Sequence, residues 1–326
     1  MLAHMSTAAS GRATEAVAQQ VNSTLRRGIL AAARSERIGG FVGKHGMRLG
    51  AQRFVAGETF AECAEVLKGL NERGLRANTT LLGEDVLSAD EARAVTDEYE
   101  GILDGIAERK LRVNVALKLT HLGLLLDEEL AYANVKRLVA YAAARDSFIR
   151  LDMEHSGLVD QTLGIYRRLR ADGLDAVGTV LQAYLYRSPD DLAALLPLQP
   201  NLRLVKGAYL EPAEVAYPRK ADVDDAYLRL VEAMFAGGAY TAVATHDERL
   251  IEQTIVLADR MGIERDRYEF QMLYGVRSAL QLALVARGFK VLVATPFGPQ
   301  WYPYLMRRLG ERPANMLFIA RNLVRR

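Results

Sequence analysis

The residues best equipped for chemistry in this chain stand in or just after short apolar runs. Glu84 follows ANTTLLG, Lys118 lies in VNVALKL, and Asp152 and Glu154 close FIRLDME. Gln182 lies in AVGTVLQAY, Arg203 and Lys206 precede Tyr209 in LRLVKGAY, Thr245, His246 and Asp247 follow TAVA, and Glu269 and Gln271 alternate in YEFQML. A charged side chain within an apolar run is costly to bury unless it is paired or bound to a ligand. Singly, each has an ordinary structural explanation: Lys118 as a solvated lysine, Asp152 as a helix cap, His246 as a hydrogen-bonded core histidine. Repeated over most of the runs, the pattern argues for a shared polar cavity. It carries both signs of charge, which argues against a metal centre, although Glu84, Asp152, Glu154, His246 and Asp247 include oxygen and nitrogen ligand types. No HExxH or His-x-His spacing supports zinc, and no metal is expected.

A second feature is WYPYLMRRLGERPAN at 301–315. In a helix, Tyr304 and Arg308 lie one turn apart, as do Arg307 and Glu311. Arg307 and Arg308 diverge by about 100° yet can flank one small anion. Arginine's planar fork binds a carboxylate bidentately and keeps its charge. An ordinary solvated Arg-Arg pair is the bland alternative.

The elements that must position these residues follow from periodicity. Strand candidates are ANTTLL (77–82), VNVALKL (113–119), FIRLDM (148–153), AVGTVLQAY (176–184), LRLVKGAY (202–209), TAVATH (241–246), YEFQML (268–273) and KVLVATP (290–296), with helical segments such as EELAYANVKRLVAYAAARD between them. Alternating strands and helices argue for parallel strands with crossover helices, and eight such units for an α/β fold of the (β/α)8 barrel type, with its site at the C-terminal ends of the strands. An open doubly wound sheet is the rival, but neither GxGxxG nor GxxxxGK[ST] occurs. Residues 13–70 read as helical with a break in RIGGFVGKHG. The expected organisation is an N-terminal helical arm over 1–74, covering the barrel, and a catalytic barrel over 75–326. The opening LAHM at 2–5 is set aside from this reading.

The composition agrees with a globular protein: 326 residues, half apolar, with 42 Lys and Arg against 40 Asp and Glu. A net charge of +2 offers no electrostatic footprint for nucleic acid. The single Cys63 excludes an intrachain disulfide and fits a reducing, cytoplasmic setting. No apolar run approaches the roughly 20 residues of a membrane-spanning helix, so any membrane contact is expected to be peripheral.

The strings LLGE (81–84), VALKLTHLG (115–123), LDMEH (151–155), TVLQAYLYR (179–187), RLVKGAYLEP (203–212), ATHDERLIE (244–252), YEFQMLYGVR (268–277) and YLMRRLGERPAN (304–315) resemble, in order, those of the proline dehydrogenase family, particularly its short monofunctional bacterial members. The resemblance runs from about Phe54 to Asn315. It implies a distorted barrel with the final helix over its mouth, noncovalent FAD, oxidation of L-proline to Δ1-pyrroline-5-carboxylate, and reoxidation by a membrane quinone. It further implies that Arg307 and Arg308, assisted by Lys118, bind the substrate carboxylate, with Glu84 pairing with the first arginine. Tyr209, Leu273 and Tyr304 would pack around the ring. Arg203 would lie near flavin N5, and Asp152 would be an active-site aspartate, with proton transfer and orientation of its neighbours both open as its role. Gln182, Lys206, Gly207, Ala208, Thr245, His246, Gln271 and the backbone at Met153 would contact the flavin.

The chain departs from the family at Ala294, where a tyrosine commonly lines the ring pocket. Loss of that phenol makes hydroxyproline or a six-membered imino acid the runner-up substrate, unless Phe297 or another neighbour refills the space. Two further alternatives are another flavin barrel enzyme of the methylenetetrahydrofolate-reductase type and an inactive binding protein on the same scaffold. The clamp argues against the first. Retention of Lys118, Asp152, Arg203, Arg307 and Arg308 argues against the second.

Overall fold

The computed structural model describes residues 51–311, with side chains through 306. Its centre is a closed barrel of eight parallel strands: β1 (Arg76–Leu81), β2 (Val113–Leu117), β3 (Ile149–Leu151), β4 (Val177–Gln182), β5 (Asn201–Val205), β6 (Tyr240–Ala244), β7 (Tyr268–Leu273) and β8 (Val291–Phe297). Each strand pairs with the next, and β1 pairs with β8 from Arg76↔Leu292 to Leu81↔Phe297, so closure leaves no edge in need of cover.

Helices α1 (Phe60–Glu72), α2 (Ala89–Glu108), α3 (Glu128–Ala143), α4 (Val159–Ala171), α5 (Ser188–Leu195), α6 (Lys220–Ala236), α7 (Glu248–Arg260), α8 (Ser278–Ala286) and α9 (Trp301–Glu311) accompany the strands. Four of these helix starts are capped by a local side chain. Thr59 and Glu62 form a capping box at α1, and the side chains of Ser88, Asp127 and Asp247 accept from the first-turn amides of α2, α3 and α7. None of the described helices is long and apolar enough to cross a membrane.

Period-two alternation decides which side chains face the helices and which face the barrel axis. On β7, Tyr268 and Phe270 pack outward in the aromatic layer with Phe235 and Phe289, at ring separations of 5.5–5.6 Å for Tyr268–Phe235 and Phe270–Phe289. Glu269, Gln271 and Leu273 occupy the alternate positions. Register places Leu273 beside Ala294 and Ala294 beside Asn78, which aligns these inward residues around the barrel.

Strands β2 to β6 are shorter than their apolar runs, whereas β1, β7 and β8 match theirs in length. Strand β2 stops at Leu117, where a 3-10 turn over Leu119–Leu122 begins. Strand β5 stops at Val205, ahead of Gly207 with φ +118°. The barrel wall therefore ends just before Lys118, Asp152, Lys206 and Thr245, and leaves them at its rim. Residues 1–50, most of the expected helical arm, lie outside the described residues. Within 51–70 the continuous helical reading is corrected. A short 3-10 turn over Ala51–Arg53 and a non-helical stretch containing Gly57, at φ +129°, precede α1, because the Thr59 cap sets the helix start. Helix α1 itself packs against β1 and β8.

A satellite apolar cluster of Ala51, Phe54, Val55, Leu82, Trp301 and Leu305 seats α9 apart from the main core. The Trp301 indole donates to Glu58 Oε1 at 2.9 Å. Backbone bonds from Ala56 to Pro296 O (2.8 Å) and from Gly298 to Gly57 O (3.0 Å) tie the same segment to the end of β8.

Candidate active site

Three inward residues, from β1, β7 and the position after β3, converge on Arg203 of β5. Its Nη1 donates to Asp152 Oδ1 at 2.6 Å, its Nη2 to Asn78 Oδ1 at 3.0 Å and its Nε to Gln271 Oε1 at 2.6 Å. The contributors come from β1, β5, β7 and the residue after β3, the layered arrangement of such barrels. Here the layer is polar, so its arginine is held by three acceptors instead of being packed in hydrocarbon.

One layer below, Gln271 Nε2 donates to Glu269 Oε1 at 2.6 Å, and the Tyr240 hydroxyl donates to Glu269 Oε2 at 3.1 Å. The fully buried Arg150 donates to Thr179 O, Asn201 O and Asn201 Oδ1. Burial, reinforced by the nearby Arg203 charge, pulls Arg150 down to about 9.

Above Arg203 lies a cavity of about 180 Å³ whose lining includes Asn78, Glu84, Lys118, Asp152, Arg203, Leu273, Ala294 and Tyr304. Lys118, half-buried, forms an ion pair with Glu84 at its edge. Gln300, Pro303 and Tyr304, at and just before the start of α9, supply the wall from above. Phe297 does not refill the space beside Ala294. Its ring packs outward against Phe60, with centroids 5.9 Å apart, and it is not among the cavity residues. Arg307 and Arg308 fall on α9, but their side chains lie outside the described residues.

The remaining expected residues form a belt along the rims of β3 to β7, outside this cavity. Gln182 donates from Nε2 to Glu154 O at 3.0 Å, and its buried Oε1 has no hydrogen-bond partner among the described residues. Glu154 accepts from both the amide and the hydroxyl of Thr120, which joins the loops that follow Lys118 and Asp152. Burial raises the Glu154 carboxyl above its ordinary value. Met153 beside it is buried.

Lys206 sits between Asp224 and Asp247, and Asp224 also accepts from Lys220 and Arg249. Burial pushes Asp224 and Asp247 upward, but Lys206 and Lys220 outweigh it, and both carboxyls end below their usual range. His246 Nε2 accepts from the Leu273 amide at 2.9 Å, and Thr245 Oγ1 from the Asp247 amide at 3.2 Å. Gly207, Ala208 and Tyr209 line a second cavity of about 380 Å³ with Tyr184 and Tyr217. A Cβ on Gly207 would fall 2.3–2.5 Å from the Tyr184 ring. The Tyr209 ring meets His155 edge-on at 6.5 Å.

Glu84, Asp152 and Glu154, the carboxylates considered for a cation, are engaged by Lys118, Arg203 and Thr120 respectively. Sequence reasoning missed Asn78, Tyr240 and Arg150 and gave Glu269 no role. The available signal was a polar residue at every second position, as in Arg76, Asn78 and Thr80 of β1 or Glu269 and Gln271 of β7.

A family model described as Proline dehydrogenase matches residues 63–321. Proline dehydrogenase 1 of Bacillus subtilis (strain 168) is 40% identical over 302 residues, covering 93% of this chain and 100% of that protein. The Deinococcus radiodurans proline dehydrogenase is 43% identical over 279 residues, covering 84% and 90%. Among solved structures, proline utilization A from Bdellovibrio bacteriovorus, inactivated by N-propargylglycine, superposes with a TM-score of 0.76 at 25% identity. It matches 83% of this chain, which spans 33% of that one.

Proposed function

This chain belongs to the proline dehydrogenase family, and we propose that it holds FAD noncovalently, oxidises L-proline to Δ1-pyrroline-5-carboxylate and passes the electrons to a quinone. The carrying observation is the cavity of about 180 Å³, with Lys118 and Glu84 at one edge, Arg203 and Asp152 below, and Leu273, Ala294 and Tyr304 around it. Pockets for drug-sized ligands run to roughly 300–1,000 Å³, so this one suits a small ring bearing a single carboxylate.

The residues fit a flavin. The orphaned Gln182 oxygen is an acceptor suited to a ring N–H. Arg203 and Lys206 are cationic donors, and at Gly207 the absence of a side chain lets the Tyr184 ring pack directly against the backbone. Met153, Ala208, Thr245, His246 and Gln271 complete the proposed contacts. When bound, FAD supplies the acceptor for the hydride that leaves the ring carbon next to nitrogen.

The protein's part is alignment and electrostatics. Lys118, with Arg307 and Arg308, binds the carboxylate, and Glu84 holds these cations over the opening. Leu273 and Tyr304 orient the ring, and α9 excludes water from above. Asp152 keeps the Arg203 guanidinium beneath the site, where its fixed charge favours an electron-rich product without later reorganisation. We place the protein in the cytoplasm, in peripheral contact with the membrane that holds its quinone, with 1–74 as the covering arm and 75–326 as the catalytic barrel.

Purified protein tests the reading directly. It should be yellow or become so on adding FAD, and should reduce a quinone analogue or dye in a proline-dependent way. A colourless protein that takes up no FAD overturns it.

A second reading concerns the ring. Because Ala294 lines the cavity and Phe297 turns away, trans-4-hydroxy-L-proline or a six-membered imino acid is the alternative substrate of the same chemistry.

A further inference from the structure

We propose that Glu269 is a positioning residue for the Arg203 guanidinium, acting through the carboxamide of Gln271. The inference rests on the flavin reading above. Glu269 is 4% exposed, and it does not line the cavity. Both of its oxygens accept, one from Gln271 Nε2 at 2.6 Å and the other from the Tyr240 hydroxyl at 3.1 Å.

A carboxylate only accepts, whereas a carboxamide accepts at one end and donates at the other. Glu269 therefore permits one orientation of Gln271, with nitrogen toward Glu269 and oxygen toward Arg203 Nε at 2.6 Å. Flipping the amide would set N–H against N–H above and oxygen against carboxylate below. Both are repulsive contacts in a low-dielectric interior.

Gln271 is the acceptor of Arg203 that this arrangement locks from beneath. Asp152 lies beyond the end of β3 with its side chain 27% exposed. The Asn78 Nδ2 has no partner among the described residues to fix that amide. The rival role for Glu269, neutralising the buried Arg150, is less direct, because the Arg150 hydrogen bonds go to Thr179 and Asn201.

Glu269→Gln separates position from charge through the midpoint potential of bound flavin. Loss of a negative charge alone stabilises the electron-rich reduced form and raises the potential. Loss of a fixed guanidinium withdraws positive charge and lowers it. Positioning predicts a lower potential, by about 30 mV for a tenfold change in a two-electron couple. It also predicts a kcat about tenfold lower, with KM for proline little changed.

Tyr240→Phe, which keeps the charge but loosens Glu269, should shift the potential the same way by less. A potential that rises or stays put in Glu269→Gln overturns the proposal. If that variant does not fold, an unchanged potential in Tyr240→Phe does so. Flavin content and proline turnover of the wild type decide the underlying reading separately, since both variants are measured against the wild-type holoprotein.

Discussion

Arg203 and Asp152 meet at 2.6 Å, Nη1 to Oδ1, and join β5 to the segment after β3 beneath the cavity. Their side chains are 10% and 27% exposed, so the contact is partly screened from water. Asp152→Ala removes one of three acceptors from a mostly buried guanidinium. The expected cost is about 1–3 kcal/mol, below that of a fully buried pair because Asp152 keeps some solvent contact. Urea unfolding measures it, and kcat/KM for proline should fall at least tenfold. A variant with wild-type stability and kinetics would contradict the central place given to this pair.

His121 should make the fold sensitive to acid. Burial first, and the Lys118 charge second, pull its imidazole down to about 4 from an ordinary 6.5. The native state then binds fewer protons than the unfolded state between those values, so stability rises with pH across that window. The contribution is complete above about pH 6.5 and is lost as pH falls toward 4, amounting to roughly 3 kcal/mol. Glu154, raised by burial, acts in the opposite sense, so the informative quantity is the difference between wild type and His121→Gln. Denaturant unfolding from pH 4.5 to 7.5 should give a difference that changes with pH; a flat difference would show that His121 is not held neutral.

Gly207 occupies a conformation that a side chain cannot share. With φ +118° and a Cβ position 2.3–2.5 Å from the Tyr184 ring, Gly207→Ala combines backbone strain with a clash, and about 2–4 kcal/mol should be lost. FAD content on purification should drop in parallel. Full flavin occupancy at unchanged Tm would remove Gly207 from the proposed cofactor cradle.

Ala294 sets the room on the ring side of the cavity. Ala294→Tyr should reduce kcat/KM for trans-4-hydroxy-L-proline and pipecolate by about tenfold or more relative to proline, the scale expected of steric discrimination in a small pocket. Parallel assays with a dye acceptor measure the ratios. An equal decline for every substrate would mean that Ala294 does not select the ring.

Much of this architecture is legible in the chain alone, and the boundary of that legibility has physical causes. All eight strands were readable because each apolar run is local and strand and helix segments alternate. Lys118, Asp152 and Arg203 stood out because a charge in such a run needs a partner. Asn78 did not stand out, since an asparagine in a strand is cheap, and it reaches Arg203, 125 residues away, only once β1 closes against β8. Glu269 and Arg150 were hidden for a related reason. Their inward faces are evident from alternation, but a second polar layer below the first is a property of the closed cylinder. Phe297 illustrates the converse, because nothing in VLVATPF indicates that its ring would pair with Phe60 instead of refilling the space beside Ala294.

The seat of the final helix also joins segments that lie far apart in the chain. Ala51, Phe54 and Val55 share one apolar cluster with Leu82, Trp301 and Leu305, so the cover of the pocket rests on residues some 250 positions apart. Contacts of such separation stabilise nothing until the loop between them is closed, so they tend to form late in folding. The roof of the pocket is thus pinned by a contact, Glu58–Trp301, that spans 243 residues of chain.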